Sequence, residues 1–278
     1  MSKVWFVTGS SRGLGRRFVE AALARGDRVA ATARTVAGLD DLVACHGDAV
    51  LPLVLDVTDR TAVFETVERA AKHFGRLDVV VNNAGYAQFG AVEELTEREL
   101  RDQMETNLFG AVWVIQAALP YLREQRSGHI VQLSSAAGII TMPLGGAYHA
   151  SKWALEGLNE ALAAEVAGFG VKVTVVEPGT FATRDGKNPD PLANGHLART
   201  DPAYDDVRRR LGAMTGKLPA GDPAAAAQAL LTLVDLDNPP LRVIFGVGIH
   251  PMIQQVYADR LRTWDEWQEL SAASHGGT

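Results

Sequence analysis

Apolar residues along this chain alternate between two textures. Short continuous runs, closed by glycine, asparagine or proline, give way to longer stretches with apolar positions three and four apart. The first texture predicts strands buried on both faces, and the second predicts amphipathic helices. Runs at 4–8, 28–34, 50–57, 77–81, 129–133, 171–176 and 241–246 predict seven strands. Phe18, Ala21, Ala22 and Leu23 form one helical stripe, stopped at Gly26. Val63, Val67, Ala70, Ala71 and Phe74 form another, ended by Gly75, and a short helix fits 39–44. Thr96 and Glu99 have the spacing of a capping box and open a helical region reaching Leu122. Leu155, Leu158, Leu162 and Val166 mark the core face of a helix that begins near Tyr148. Asp222 and Pro223 start a helix to about Leu236, and a last helix runs from Ile249 to Leu270. Strands alternating with helices predict an α/β fold: a single-domain Rossmann-type doubly wound parallel sheet of about seven strands, spanning 1–278, with helices on both faces.

One stretch breaks the alternation. Asp, Pro, Gly and Asn crowd 185–195, and Arg208, Arg209 and Arg210 mark a polar helix after them. A segment as long as 184–219 inside a compact domain reads as a substrate lid.

Composition removes several classes of function. The 278 residues are 47% hydrophobic, enough for one large core, and carry a formal charge of −6 from 27 basic and 33 acidic residues. These charges are interspersed, without the basic block of a nucleic-acid arm. One cysteine, Cys45, allows no intrachain disulfide and no cysteine-built zinc site, and reads as a small half-buried residue; no metal is expected. The N-terminal residues enter a glycine loop without the apolar region of a signal peptide. No charge-free apolar stretch reaches the roughly eighteen residues of a membrane span, so a soluble cytoplasmic protein is expected.

The candidate chemistry lies at the ends of the predicted strands. After the first come Gly9, Gly13 and Gly15, then a helix. Such a turn offers backbone N–H groups and a helix N-terminus to a phosphate. The spacing is neither G-x-G-x-x-G nor a P-loop. The second strand closes on Ala33-Arg34, without the carboxylate that accepts from a ribose 2′-OH. Arg34 and Arg12 suit a 2′-phosphate, which places NADP(H) ahead of NAD(H). Asp56 either reaches an adenine amino group or caps the next helix, and the fourth strand ends in Asn82-Asn83-Ala84-Gly85. Asn107 is a polar amide in an apolar helix and needs partners. Ser134 and Ser135 close the fifth strand, and Tyr148 and Lys152 lie one helical turn apart on one face.

Taken in order, the 9-13-15 glycines, the Asn-Asn-Ala-Gly turn, Asn107, Ser135, Tyr148 with Lys152, and Pro178-Gly179 resemble the short-chain dehydrogenase/reductase family in its shorter single-domain form. The resemblance covers roughly 3–183 and the strand near Val243. It implies Tyr148 as general acid/base, and Lys152 as the residue that holds the nicotinamide ribose and lowers the tyrosine pKa. It implies Ser135 as hydrogen-bond donor to the reacting oxygen, with Ser134 its adjacent competitor, and Asn107 as holder of a relay water. Gly9, Ser11, Arg12, Gly13, Leu14 and Gly15 match the pyrophosphate loop. Asp56 and Val57 match adenine contacts, Asn83, Ala84 and Gly85 the adenosine ribose turn, and Pro178, Gly179, Phe181 and Thr183 the nicotinamide clamp. Tyr86, Met142 and Phe181 are expected to line the substrate pocket, and His149 to be structural. The implied activity is NADP(H)-dependent interconversion of a ketone or aldehyde and an alcohol, by a homodimer or homotetramer. Two other readings remain: a catalytically silent dinucleotide-binding sensor or scaffold, and a sugar-nucleotide epimerase, which the glycine spacing and chain length disfavour.

Overall fold

The computed structural model of the chain describes residues 2–183, 195–215 and 219–276. All seven predicted runs form strands of one parallel sheet. They are β1 (Val4–Val7), β2 (Arg28–Ala33), β3 (Val50–Val54), β4 (Val79–Asn82), β6 (Gly128–Leu133), β7 (Val171–Pro178) and β9 (Arg242–Phe245). The order is β3-β2-β1-β4-β6-β7-β9, and every neighbouring pair is parallel. The third strand stops at Val54 rather than Val57, because Asp56 folds the chain back by accepting from Thr58 N at 3.0 Å.

The core lies on both sides of this sheet. In β1 the period of two sends Trp5 and Val7 to one cluster and Val4 and Phe6 to the other. The first cluster is completed by α1 (Gly13–Ala24) and α8 (Pro223–Asp235). The second takes α3 (Arg60–Phe74), α5 (Gly110–Gln125) and α6 (Gly146–Val166). The glycine stop after Phe74 forms as expected: Gly75 sits at φ +77° and closes α3 with a bond to Ala71 O.

Three features depart from the sequence reading. The helical region after Thr96 is interrupted: α4 (Glu97–Met104) passes through a π-helical turn, Glu105–Phe109, before α5 begins. The capping box at Thr96 and Glu99 does form. A second small sheet pairs β5 (Gln88–Phe89) with β8 (His196–Leu197), strands too short to show any periodicity. Cys45 is exposed on α2 (Asp40–His46) rather than half-buried, since only Leu42 of that helix turns fully inward. Of the expected lid, 184–194 and 216–218 lie outside the described residues. The remainder holds β8 and α7 (Asp205–Thr215), the predicted polar helix. No helix among the described residues is long and apolar enough to cross a membrane.

Candidate active site

Because every strand of the large sheet is parallel, their carboxyl ends collect along one edge, where open α/β sheets bind ligands. Beyond β1 the chain turns through Gly9 (φ +68°) and Gly13 (φ +62°), both in the left-handed region that glycine enters freely. Gly15 is required for a different reason. A Cβ there would come within 2.3 Å of Asn83 Nδ2 and 2.5 Å of Gly9 O. Asn83 is therefore more than a turn residue: its Nδ2 donates to Thr8 O (2.8 Å) and Gly9 O (3.1 Å), fastening the end of β4 to the glycine loop.

The N-terminus of α1 is left open for an anion. Arg12 at the N-cap makes no side-chain capping bond, and the first turn carries no acidic residue. The N–H groups of a first helical turn and the positive helix end suit an anion. A cavity of about 690 Å³ adjoins it, lined in part by Arg12, Gly13, Arg16, Arg17 and Thr183. Arg16 is engaged by Glu20 and Asp41. Arg12 and Arg34 are exposed, and among the described residues neither side chain has a hydrogen-bond or ion-pair partner. Asp56 shapes its own turn, while Asp59 caps α3 by accepting from Ala62 N at 3.0 Å. Val57 packs so closely on Gly110 that a Cβ there would lie 2.7 Å from Val57 Cγ2. The glycine turn, the unopposed helix end and the unpaired guanidiniums together fit the phosphates of a dinucleotide.

Tyr148 and Lys152 stand on one face of α6, with Lys152 Nζ 5.8 Å from the Tyr148 ring centroid. The ammonium is buried and donates to Leu133 O at 2.8 Å. Burial pulls the Lys152 pKa down to about 8, opposed by the carboxylate of Glu156. Burial also pushes the half-buried Tyr148 phenol above its ordinary range, against a hydrogen bond with Ser135 that lowers it. Ser135 Oγ accepts from Ala137 N at 3.1 Å and reaches Pro178 O only at 3.5 Å, a contact at the limit of a hydrogen bond. Ser134, the neighbouring serine, is buried and faces Glu156 instead.

Asn107 occupies the π turn, a helical irregularity frequent at functional sites. Its Nδ2 donates to Tyr86 O (2.9 Å) and Ser151 Oγ (3.0 Å), and its Oδ1 accepts from Tyr86 N (3.1 Å). One amide therefore joins three segments. Gly85 must stay bare beside it, since a Cβ would lie 3.0 Å from Asn107 Oδ1. His149 bonds Ala137 O through Nδ1 (2.8 Å) and accepts from Met142 N at Nε2 (3.1 Å), which assigns the proton to Nδ1. Burial lowers its pKa and keeps the ring neutral. In keeping with its structural reading, it staples the loop at 137–142 to α6.

The expected substrate residues separate. Tyr86 contacts the His196 ring, with centroids 4.8 Å apart. Met142 packs with Ala91, Leu144, Leu211, Tyr204 and Val207. Phe181 instead packs on the first core cluster, and a Cβ at Gly221 would come within 2.7 Å of its ring. Among the described residues Phe181 makes no ring contact with Tyr148; Phe89 does, at 6.3 Å between centroids. Phe89 and Ser151 were not singled out from sequence. Phe89 belongs to a two-residue strand, and only the buried phase of α6 could have marked Ser151. The segment bearing β8 and α7 is fastened by Arg208 to Glu94 and by Tyr204 Oη to Glu93 Oε2 at 2.5 Å.

Comparisons with known proteins agree with this geometry. A family model described as short chain dehydrogenase matches residues 3–190. The chain is similar to a 3-ketodihydrosphingosine reductase of Bacteroides thetaiotaomicron, 35% identical over 94% of this chain and 93% of the relative. It is similar to the crystal structure of a short-chain dehydrogenase from Streptomyces avermitilis, 40% identical with a TM-score of 0.90 and 98% of each chain covered. A short-chain dehydrogenase from Burkholderia cenocepacia in complex with NADP is 27% identical with a TM-score of 0.74, covering 95% of this chain and 97% of the other.

Proposed function

Because the chain belongs to the short-chain dehydrogenase family of oxidoreductases, we propose that it interconverts a ketone or aldehyde and an alcohol with NADP(H). The observation that carries this reading is the meeting of Ser135, Tyr148 and Lys152 at the carboxyl end of the sheet. A bound nicotinamide dinucleotide supplies the hydride for the carbonyl carbon. Tyr148 gives its Oη proton to the carbonyl oxygen. Ser135, whose hydroxyl is only weakly held by Pro178 O, turns to donate where negative charge gathers. Burial keeps the phenol protonated at neutral pH, which suits the reducing direction. Lys152 opposes the charge left on the phenol and holds the ribose hydroxyls, and Asn107 steadies the far end of the proton relay. Gly9, Ser11, Arg12, Gly13, Leu14 and Gly15 would receive the pyrophosphate, and Arg12 and Arg34 the 2′-phosphate. NADP on the Burkholderia cenocepacia relative supports that cofactor. Relationship to a 3-ketodihydrosphingosine reductase supports a keto substrate, and the Met142, Phe89 and Tyr86 surroundings support one with apolar substituents.

The test is a panel of ketones and aldehydes of graded size, read by NADPH absorbance. Oxidation of NADPH by apolar carbonyls is the expected result. Tight NADPH binding with no turnover anywhere on the panel would favour a silent dinucleotide sensor. We also propose a homodimer or homotetramer, built on α4, the π turn after it, α5 and α6, which leave Leu100, Phe109 and Trp153 exposed. Light scattering at micromolar concentration should return at least twice the chain mass, and a monomer mass would overturn this.

A further inference from the structure

Behind the catalytic face, α6 continues as a row of ionisable groups one turn apart: Tyr148, Lys152, Glu156 and Glu160. The side chain of Glu156 is only 7% exposed, yet its ion-pair partner is remote in sequence. Arg242 from β9 reaches it with Nε at 3.1 Å, and the same guanidinium holds exposed Glu160 through Nη2 at 2.7 Å. Glu177 from β7, equally buried, stands further from Arg242 Nε, at 3.8 Å. Ser134 completes the surroundings from the end of β6. A Cβ on Gly138 would touch both Ser134 Oγ (2.6 Å) and Glu156 Oε1 (3.0 Å), and that carboxylate oxygen has no hydrogen-bond partner. Glu156, Glu160, Glu177, Arg242 and Ser134 take no part in the reaction as described above.

We propose that Glu156, clamped by Arg242, is a positioning residue that holds Lys152 in its ammonium form. The inference rests on the role assigned to Lys152. The geometry decides which carboxyl keeps its charge. Two buried carboxylates compete for one guanidinium, and Glu156 is the nearer by 0.7 Å, the difference between 3.8 and 3.1 Å. Burial, with repulsion from Glu156, pushes Glu177 up to about 7, so near neutral pH Glu177 is the one that takes a proton. Glu156 is also raised by burial, but Ser134, Arg242 and Lys152 all favour its charged form. Lys152 in turn has burial against its charge and Glu156 in favour of it; its own hydrogen bond goes to a neutral carbonyl, Leu133 O. Without the Glu156 charge, the ammonium loses that support and gives up its proton at lower pH.

The experiment follows the lysine Cε carbon by NMR titration of the full chain without cofactor, with Lys152→Met assigning the signal. In Glu156→Gln the Lys152 midpoint should fall by about one pH unit, a tenfold change in its acid constant. Glu156→Asp, which keeps the charge, should recover most of that, and Glu160→Gln should leave it in place. The alkaline limb of kcat/KM should move with the midpoint. Coupling is reciprocal, so Lys152→Met should raise the Glu156 midpoint, read at the glutamate Cδ carbon, by a similar amount. That second reading covers the case in which Glu156→Gln fails to fold. A Lys152 midpoint unchanged in folded Glu156→Gln, or a Glu156 midpoint unchanged in Lys152→Met, overturns the proposal. If no carbonyl on the panel is reduced yet both midpoints shift, the electrostatic role stands and the reductase reading falls.

Discussion

Tyr148→Phe should bind NADPH and turn over almost nothing. The substitution removes one oxygen and its proton while keeping the ring. Its neighbours Phe89 and His149, with centroids 6.3 Å away on each side, lose no ring contact. The lost hydrogen bond to Ser135 is worth about 1 kcal/mol, too little to unfold the chain. A positioned general acid contributes about a hundred- to ten-thousandfold, so kcat should fall at least that far. The glycine loop and Lys152 are untouched, and the NADPH dissociation constant should stay within about threefold, a change under 1 kcal/mol. Lys152→Ala should differ by damaging both quantities, because it removes the ammonium and its bond to Leu133 O together. Stopped-flow reduction with fluorescence binding of NADPH separates the two cases. A Tyr148→Phe protein retaining a tenth of wild-type kcat would move the proton to another group.

The second large effect concerns the phosphate that distinguishes NADP from NAD. Arg34 follows the last residue of β2, and Arg12 stands at the N-cap position of α1; neither side chain has a partner among the described residues. Each should give the 2′-phosphate charge-assisted hydrogen bonds worth about 1.5–3 kcal/mol before screening. Arg12→Ala or Arg34→Ala should weaken NADPH roughly ten- to a hundredfold and leave NADH almost unchanged. Reversing the preference requires repulsion as well as lost attraction. Ala33 is a poor place for the acid, because it is 4% exposed and packed in the first core cluster. Arg34 is exposed, so Arg34→Asp puts the carboxylate in water, where it repels phosphate and accepts from a free 2′-OH. The kcat/KM ratio for the two cofactors should invert in Arg34→Asp. A wild type already favouring NADH, or a ratio unmoved in the variant, would show the 2′-phosphate lies elsewhere.

How much of this was legible follows from the range of the interactions involved. Strands buried on both faces write themselves as unbroken apolar runs, so all seven of the large sheet could be read, with ends displaced by a few residues. Caps are local too, and Thr96, Asp59 and Gly75 act where their residue types suggest. Tyr148 and Lys152 share a face because a helix fixes it. What could not be read depends on contacts far apart in the chain. The β5–β8 pairing joins Gln88 to His196, and Arg242 finds Glu156 from 86 positions away. The Phe181 ring packs against Gly221 and the first core cluster, partners no local pattern could supply.

The π turn at Asn107 also bears on how this chain could have changed over time. A π turn accommodates one residue more than the α-helix around it. Removing any one residue of Glu105–Phe109 would let α4 and α5 fuse into a continuous helix. The turn takes up the extra residue within itself, so everything downstream would keep its phase instead of rotating by the roughly 100° that each residue turns in an α-helix. Val114, Ile115, Ala118 and Leu122 would go on facing the second core cluster. The apolar phase of α5 is thus independent of the inserted residue. An ancestor lacking it could have carried the same stripe, and the insertion could have been gained alone without loss of packing. The amide that joins Tyr86 to Ser151 is therefore separable from the hydrophobic face a turn beyond it: a single-residue deletion removes the turn that presents the amide and leaves the face in place.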